Sequence, residues 1–253
     1  MAFDVAADAY DRFMGRYSAP LADQLLDALG VQPGERALDV GCGPGALTAR
    51  LVDLLGADLV AAVDPSPPFV DAVRARLPGV DARSASAEEL PFDDDVFDLV
   101  LAQLVVPFLR APDTGLHEMA RVTRPGGVVA ATAWNHAEQG SSPLSPFWAA
   151  VNDVDQGAYD ESSLVGVGDG ELVRILRSAG LDDVRQLRLT VTVTHPTFEE
   201  WWEPYTLGVG PAGDHVTGLS AEQRSRLERR ARERLGDGPF DVTGTAWCAV
   251  GRA

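Results

Sequence analysis

The stretch Ala37-Leu-Asp-Val-Gly-Cys-Gly-Pro-Gly-Ala46 decides the fold of this chain. A short apolar run enters a tight turn with glycines at 41, 43 and 45, and the helical pattern Ala46–Leu55 follows at once. Glycine lets the backbone turn sharply and lets a ligand come close to it. The helix that follows offers first-turn N–H groups with no partner of their own. Strand, glycine turn and helix in that order are how an α/β sheet presents a nucleotide-like ligand.

Outward from this stretch, apolar strands and helices alternate between residues 36 and 134. Strands are expected at Ala37–Val40, Leu59–Val63, Ala82–Ser84, Phe97–Ala102 and Gly127–Ala133, with helices at Ala46–Leu55, Pro67–Leu77 and Thr114–Val122. That rhythm predicts a parallel sheet covered on both faces. An amphipathic helix at Ala19–Leu29 precedes it. Beyond Trp134 come a helix at Glu171–Ala179, a long alternating strand at Val184–Thr194, a helix at Ser220–Leu235 and a last strand at Thr243–Val250. The expected fold is a Rossmann-like, doubly wound α/β sheet of seven strands. It is mostly parallel with an antiparallel late strand, the two late strands being an antiparallel addition to the sheet edge. Three parts follow: an N-terminal lid segment (1–35), a ligand-binding core (36–134), and a C-terminal part (135–253). The last carries two lid insertions, about 135–168 and 197–241.

Asp39 separates two candidate ligands. Gly41, Gly43 and Ala46 have dinucleotide spacing, and the acid Asp64 stands 21 residues beyond Gly43, at the end of the next strand. A dinucleotide would bring its anionic pyrophosphate to a turn that already carries a carboxylate. S-adenosylmethionine brings an ammonium and a sulfonium, which a nearby carboxylate favours. Asp64 can accept from both hydroxyls of an adenosine ribose. Ser66 either joins it or caps the next helix.

Further along come Ala87-Glu-Glu-Leu-Pro-Phe92, Phe97-Asp-Leu-Val100 and Arg121-Val-Thr-Arg-Pro-Gly-Gly127. With Leu38–Gly45 and Asp64 in this order, the region from Arg36 to Trp134 resembles the class I S-adenosylmethionine-dependent methyltransferases of the type 11, small-molecule kind. The resemblance implies roles for individual residues. Gly41, Cys42 and Gly43 would line the methionine and ribose portion, and Asp39 would lie near the ammonium. Asp64 would hold the ribose diol, and Ala87 would meet the adenine edge, flanked by Glu88. Ser86 stands where many relatives have an aspartate. Gln103 sits where relatives contact the methionine end or the substrate. Relatives acting on nucleobase amino groups carry an Asn/Asp-Pro-Pro-aromatic run near this point, where this chain has Gln103-Leu-Val-Val-Pro-Phe108. That departure argues against a nucleobase target. Arg121–Gly127 itself needs only a structural reading: helix end, Pro-Gly-Gly turn, strand entry.

Composition narrows the partners. The net charge of −17 disfavours nucleic acid, which needs basic surface. All 21 basic residues are arginine, so lysine Schiff-base chemistry and a P-loop lysine are excluded. No apolar run approaches the ~20 residues of a membrane span and no signal pattern opens the chain, so a cytoplasmic protein without membrane association is expected. Cys42 and Cys248 are far apart and the four histidines are scattered, so no metal site is expected.

Aromatic residues gather outside the expected sheet: Phe3, Tyr10, Phe13 and Tyr17 in the N-terminal segment, Trp134 and Trp148 near the first insertion, and Trp201, Trp202 and Tyr205 in the second. Tyr10, Phe13, Tyr17, Trp134, Trp148, Trp201, Trp202 and Tyr205 are candidate walls for an apolar or aromatic acceptor, with core packing as the competing explanation. His136, directly after the fifth strand, is the candidate general base, with His195 and His215 behind it. The expected activity is methyl transfer from S-adenosylmethionine to a small metabolite, leaving S-adenosylhomocysteine, in a monomer or homodimer. Two alternatives stay open: a protein of the same fold that binds the cofactor without transferring its methyl, and a dehydrogenase.

Overall fold

The computed structural model describes residues 7–136, 141–156 and 161–253. Phe3 and parts of the first insertion lie outside the described residues. Strands β1 (Ala37–Val40), β2 (Val60–Asp64), β3 (Asp81–Ser84), β4 (Phe97–Gln103), β5 (Thr123–Trp134), β6 (Asp182–His195) and β7 (Phe240–Arg252) form one sheet in the order β3-β2-β1-β4-β5-β7-β6. Neighbours from β3 to β5 are parallel, and β7 runs antiparallel to both β5 and β6. The two late strands are therefore added together beyond β5, with β7 antiparallel beside it and β6 at the edge.

Helices in chain order are α1 (Ala7–Tyr10), α2 (Arg16–Leu29), α3 (Ala46–Leu55), α4 (Pro67–Arg76), α5 (Pro112–Val122), α6 (Ser145–Val154), α7 (Glu171–Ser178), α8 (Phe198–Trp202), α9 (Gly210–Gly218) and α10 (Ala221–Leu235). A π-helical turn, Asp11–Gly15, joins α1 to α2. The central strands are buried on both faces because successive side chains alternate between two cores. Leu99, Leu101 and Ala130 face one core with α2 and α3; Val100, Ala102, Val129 and Ala131 face the other with α5 and α7. At the β6 edge, Gln24 of α2 donates to the Thr190 carbonyl (2.6 Å) and accepts from its N–H (3.0 Å), so one residue's exposed edge groups are paired.

The Pro-Gly-Gly turn expected before β5 lies within that strand's assigned span. β4 advances two residues from Phe97 to Leu99 while β5 advances five from Thr123 to Val128, so Arg124–Gly127 bulge from the ladder. Gly126, at φ +80°, donates to the Ala253 carbonyl, and Arg252 reaches the Gly126 carbonyl. The bulge is thus tied to Arg252 and Ala253. Helix α10 starts on the expected capping box, Ser220 and Gln223 each bonding the other's backbone N–H, and buries only Leu227 and Ala231. Its Arg230 and Arg234 reach Asp153 of α6 at 2.7 and 2.6 Å.

The aromatic residues of the second insertion form a packed cluster. Trp201 lies 4.9 Å from Tyr205 and 5.5 Å from Phe198 by ring centroid, and Tyr205 stacks on Phe147 at 4.5 Å. Trp201→Ala should therefore cost about 3–5 kcal/mol in denaturant unfolding, as a large-to-small core substitution. Leu54→Ala, at a position 53% exposed, should stay within about 0.5 kcal/mol. Similar losses for the two would show that the cluster is not core.

Candidate functional site at the switch point of the sheet

From β1 the chain moves outward to β2 and β3, then returns to β4 on the other side of β1. The crevice beyond the carboxyl ends of β1 and β4 is the topological switch point, where open α/β sheets bind ligands. Gly41, just after β1, and Val105, just after β4, meet there. Gly41 has φ +72°, and a Cβ on it would stand 2.5 Å from Val105 Cγ2, so only glycine fits. Gly43, at φ +52°, faces open space bounded by the Tyr10 ring at 3.9 Å. Leu104 is held at φ +63°, with its N–H donating to the Thr132 carbonyl at 3.0 Å. A branched residue in that region stores about 1–3 kcal/mol of strain, a pattern associated with ligand sites.

Two buried carboxylates sit beneath the turn. Asp39 is 1% exposed, and its Oδ2 accepts from Thr48 Oγ1 at 2.6 Å, in the first turn of α3. Burial pushes the Asp39 carboxyl up to about 7; the Thr48 hydroxyl opposes this and the charge of Asp64 adds to it. Asp64 Oδ2 accepts from the Gly43 N–H at 2.9 Å and Oδ1 from the Ser66 N–H at 2.8 Å. Burial raises its carboxyl too, against those two backbone bonds. The Gly41 and Cys42 N–H groups both donate to the Val63 carbonyl. The amide donors a pyrophosphate would need are thus directed at carboxylates and a carbonyl. Around a site that already holds two acids, a cation is favoured and an anion repelled.

The other candidate cofactor residues divide. Ser66 Oγ and Gln103 Oε1 are buried with no hydrogen-bond partner, next to Asp64 and at the end of β4, where a polar ligand would satisfy them. Gln103 is oriented by donating from Nε2 to the Ser18 carbonyl at 3.0 Å. Ala87 is buried, and Ser86 beside it is half-buried. Glu88 Oε1 accepts from the N–H groups of Arg110 and Ala111, tying this loop to the start of α5. The Cys42 side chain packs with Ala62, Val70, Val73 and Ala82, so only its backbone belongs to the turn.

Tyr10 lies over the turn, edge-on to Phe69 at 5.5 Å. Burial pushes its hydroxyl up to about 12, with Asp64 and Asp39 contributing. Arg76 clasps this N-terminal segment through Asp8 and Asp11 while also reaching the Pro44 carbonyl. Beside the turn is a cavity of about 40 Å³ lined by Tyr10, Phe13 and Met14, by Leu104, Pro107 and Phe108, by Trp134, His136 and Leu144, by Glu161, and by Gly210–Ala212. Of the aromatic candidates, Tyr10, Phe13 and Trp134 line it. Tyr17, Trp148, Trp201, Trp202 and Tyr205 are buried in the surrounding packing and do not. Among the histidines, His136 lines it. His195 is instead 1% exposed, with Tyr17 Oη at 2.8 Å from Nε2 and Arg16 at 3.1 Å from Nδ1. Burial and then Arg16 lower His195 to about 4. His215 packs edge-on against Trp148 at 5.8 Å. Glu161 escaped the sequence reading because nothing in Asp160-Glu-Ser-Ser163 distinguishes a cavity acid from a surface loop. Among the described residues, no group of three or more His, Cys, Asp or Glu is arranged to hold a metal ion, and no helix is long and apolar enough to cross a membrane.

Comparison with known proteins bears on the family and the fold. Residues 38–131 match the family described as "Methyltransferase domain". An "uncharacterized methyltransferase" of Mycobacterium tuberculosis is 40% identical over 139 residues, 55% of this chain and 54% of that protein. A demethylmenaquinone methyltransferase of Beutenbergia cavernae is 40% identical over 124 residues, 49% of each chain. The chain thus spans about half the length of these curated relatives. Among solved structures, the chain in complex with the Trm112 methyltransferase activator of Haloferax volcanii superposes with a TM-score of 0.60 at 22% identity, covering 95% of this chain and 91% of its own. That likeness concerns the fold.

The buried Asp39 has a consequence for stability. Its carboxyl titrates near 7 when folded, against about 3.9 unfolded. The folded state therefore holds the extra proton between those values. Its contribution is full below about pH 4 and is lost as pH rises through 7. Asp39→Asn keeps an acceptor for Thr48 and removes the charge. In thermal unfolding without ligand it should melt higher than the parent at pH 8, with the gap closing toward pH 5. A lower melting point at pH 8 would refute the burial argument.

Proposed function

We propose, from the match of residues 38–131 to a methyltransferase domain and the geometry of the turn, that the protein is a class I methyltransferase that transfers a methyl group from S-adenosylmethionine to a small, apolar or aromatic metabolite. The observation that carries this reading is the pair of buried carboxylates under a glycine turn whose amide donors are already engaged. Such a turn suits a cationic nucleoside and not a dinucleotide.

S-adenosylmethionine, when bound, supplies a methyl group on a sulfonium that a nucleophile displaces in line. The chain's residues supply position and electrostatics. Asp64 has lone pairs left on both oxygens for the ribose hydroxyls, since each oxygen takes only one backbone bond. Asp39 faces the ammonium end, and Ser66 Oγ and Gln103 Oε1 supply the unspent polar contacts. Ser86 and Ala87 border the adenine. Holding donor and acceptor in line can supply about 7–11 kcal/mol of the barrier, provided water is kept out. The N-terminal segment over the turn serves that exclusion. We assign the lid role to residues 1–35 with the two insertions, because Tyr10, Phe13, Glu161 and Gly210–Ala212 together wall the cavity. These residues from three parts of the chain border one cavity, where the acceptor would sit beside the cofactor. The exposed ion pairs Arg76–Asp8 and Arg12–Glu203 are weak enough to release. His136, inside the cavity, takes the acceptor's proton where the acceptor has one to lose.

Thermal unfolding with added ligand tests the cofactor. At about 100 times the dissociation constant, S-adenosylmethionine or S-adenosylhomocysteine should add roughly 2.7 kcal/mol, or about 5–10 °C, and NAD should add nothing. Affinity for S-adenosylmethionine should rise between pH 6 and pH 7.5 as Asp39 ionises, by up to about tenfold per unit below 7, and Asp39→Asn should flatten that slope. A shift with NAD alone, or none with either adenosyl ligand, would end this reading.

A further inference from the structure

Helix α4 meets the glycine turn and the segment above it with one face. Phe69, Val73 and Arg76 follow at helical spacing, which sets them on the same side of the helix. Val73 packs on the turn: a Cβ on Gly45 would stand 3.1 Å from Val73 Cγ2. Phe69 meets the Tyr10 ring edge-on at 5.5 Å. Arg76, the last residue of the helix, touches both. Its Nη1 donates to Asp11 Oδ2 at 2.6 Å and to the Pro44 carbonyl at 3.3 Å, and its Nη2 donates to Asp8 Oδ1 at 3.1 Å. One guanidinium thus joins the turn to the segment that covers it, a task suited to a planar group with donors in a fixed fork.

The covering segment has little else to fix it at this point. Helix α1 is four residues long and buries none of them, and a helix that short does not hold its own shape. Yet it ends on Tyr10, whose Cε1 lies 3.9 Å from where a Cβ on Gly43 would be. Asp11 then opens the π-helical turn on which Phe13 and Met14 line the cavity. Holding Asp8 and Asp11 therefore holds Tyr10 over the turn, with Phe13 and Met14 beside it.

We propose that Arg76 is a positioning residue for the cofactor: by tying Asp8 and Asp11 to the glycine turn it keeps Tyr10 over the bound adenosyl ligand and sets how long that ligand stays. This rests on reading the turn as the S-adenosylmethionine site. Arg76 acts on the ligand through Tyr10 and the turn. Its two ion pairs are exposed, so each is weak and screened by salt. The effect on residence time is accordingly several-fold and fades as ionic strength rises.

Stopped-flow binding of S-adenosylhomocysteine at about 0.02 M and about 0.5 M NaCl tests this. The ligand carries one ammonium and one carboxylate, so its own charges cancel and add little salt dependence. In the parent protein the dissociation rate should rise about three- to tenfold between the two salt concentrations, with the association rate changing less than about twofold. Arg76→Gln should dissociate at the parent's high-salt rate in both buffers. Asp8→Asn combined with Asp11→Asn removes the same ion pairs from the other side and should give the same rates. Arg76→Lys, which keeps the charge and loses the fork, should recover part of the residence time together with its salt dependence. Arg230→Gln on α10, where Asp153 keeps Arg234, should behave as the parent. An arginine with a merely structural role would lower the melting point of the unliganded protein and leave the salt response as it was. The proposal is overturned if Arg76→Gln or the double asparagine variant keeps the parent's slow dissociation at low salt, or keeps its salt dependence. Failure of the parent protein to bind S-adenosylhomocysteine would overturn the methyltransferase reading as well, whereas binding that is indifferent to Arg76 would overturn this proposal alone.

Discussion

Two carboxylates buried at the end of a parallel sheet govern the rest of this structure. Asp39 and Asp64 take the donors that a strand-turn-helix junction would otherwise hold out to a ligand: Thr48 Oγ1 at the start of α3, and the N–H groups of Gly43 and Ser66. Burial raises both carboxyls, and at Asp39 the charge of Asp64 raises it further. The arrangement is therefore costly without a cation and relaxed with one. Burying two acids together costs folding free energy, the kind of compromise between stability and function that binding sites make.

The same constraint explains the covering layer. Acids at the bottom of an open crevice would be hydrated, and their preference for a cation would be screened. Tyr10, Phe13 and Met14 close over the crevice, and the segment is fixed from two sides. Arg76 holds Asp8 and Asp11 near the glycine turn. Arg16 and Tyr17 meet His195 and Glu200 at the far end of β6. The first clasp is exposed and weak. In the second the Tyr17–His195 bond is buried, and the low pKa of His195 keeps it neutral at physiological pH, compatible with the adjacent guanidinium. The N-terminal segment is thus held by a buried hydrogen bond at Tyr17 and by exposed ion pairs at Asp8 and Asp11.

Much of this architecture was legible in the sequence. β1 and α3 fall where the apolar run and the glycine turn place them, and α10 begins on the Ser220–Gln223 box. These features are local: a strand period, a capping pair, a residue that must have positive φ. The insertion of β7 between β5 and β6 was not legible, because alternation specifies a strand but not its neighbour. Nor was the bulge at Arg124–Gly127, which the Ala253 carbonyl and Arg252 hold from the far end of the chain.

By itself the sequence determined the fold class, the glycine turn and the acids beneath it, since each follows from contacts within a few residues or from a spacing that repeats along the chain. Only the tertiary structure decided which aromatics wall a cavity and which fill a core. Trp134 and Trp201 are the same residue type, and residue type does not separate them. One lines the cavity beside Gly43 and the other is enclosed by Phe198, Tyr205 and Phe240. Glu161 is the sharpest case. It reads as an ordinary loop acid, yet it is buried, with the Trp148 indole N–H donating to it. Burial is a property of the surroundings, and those are assembled from residues distant in the chain.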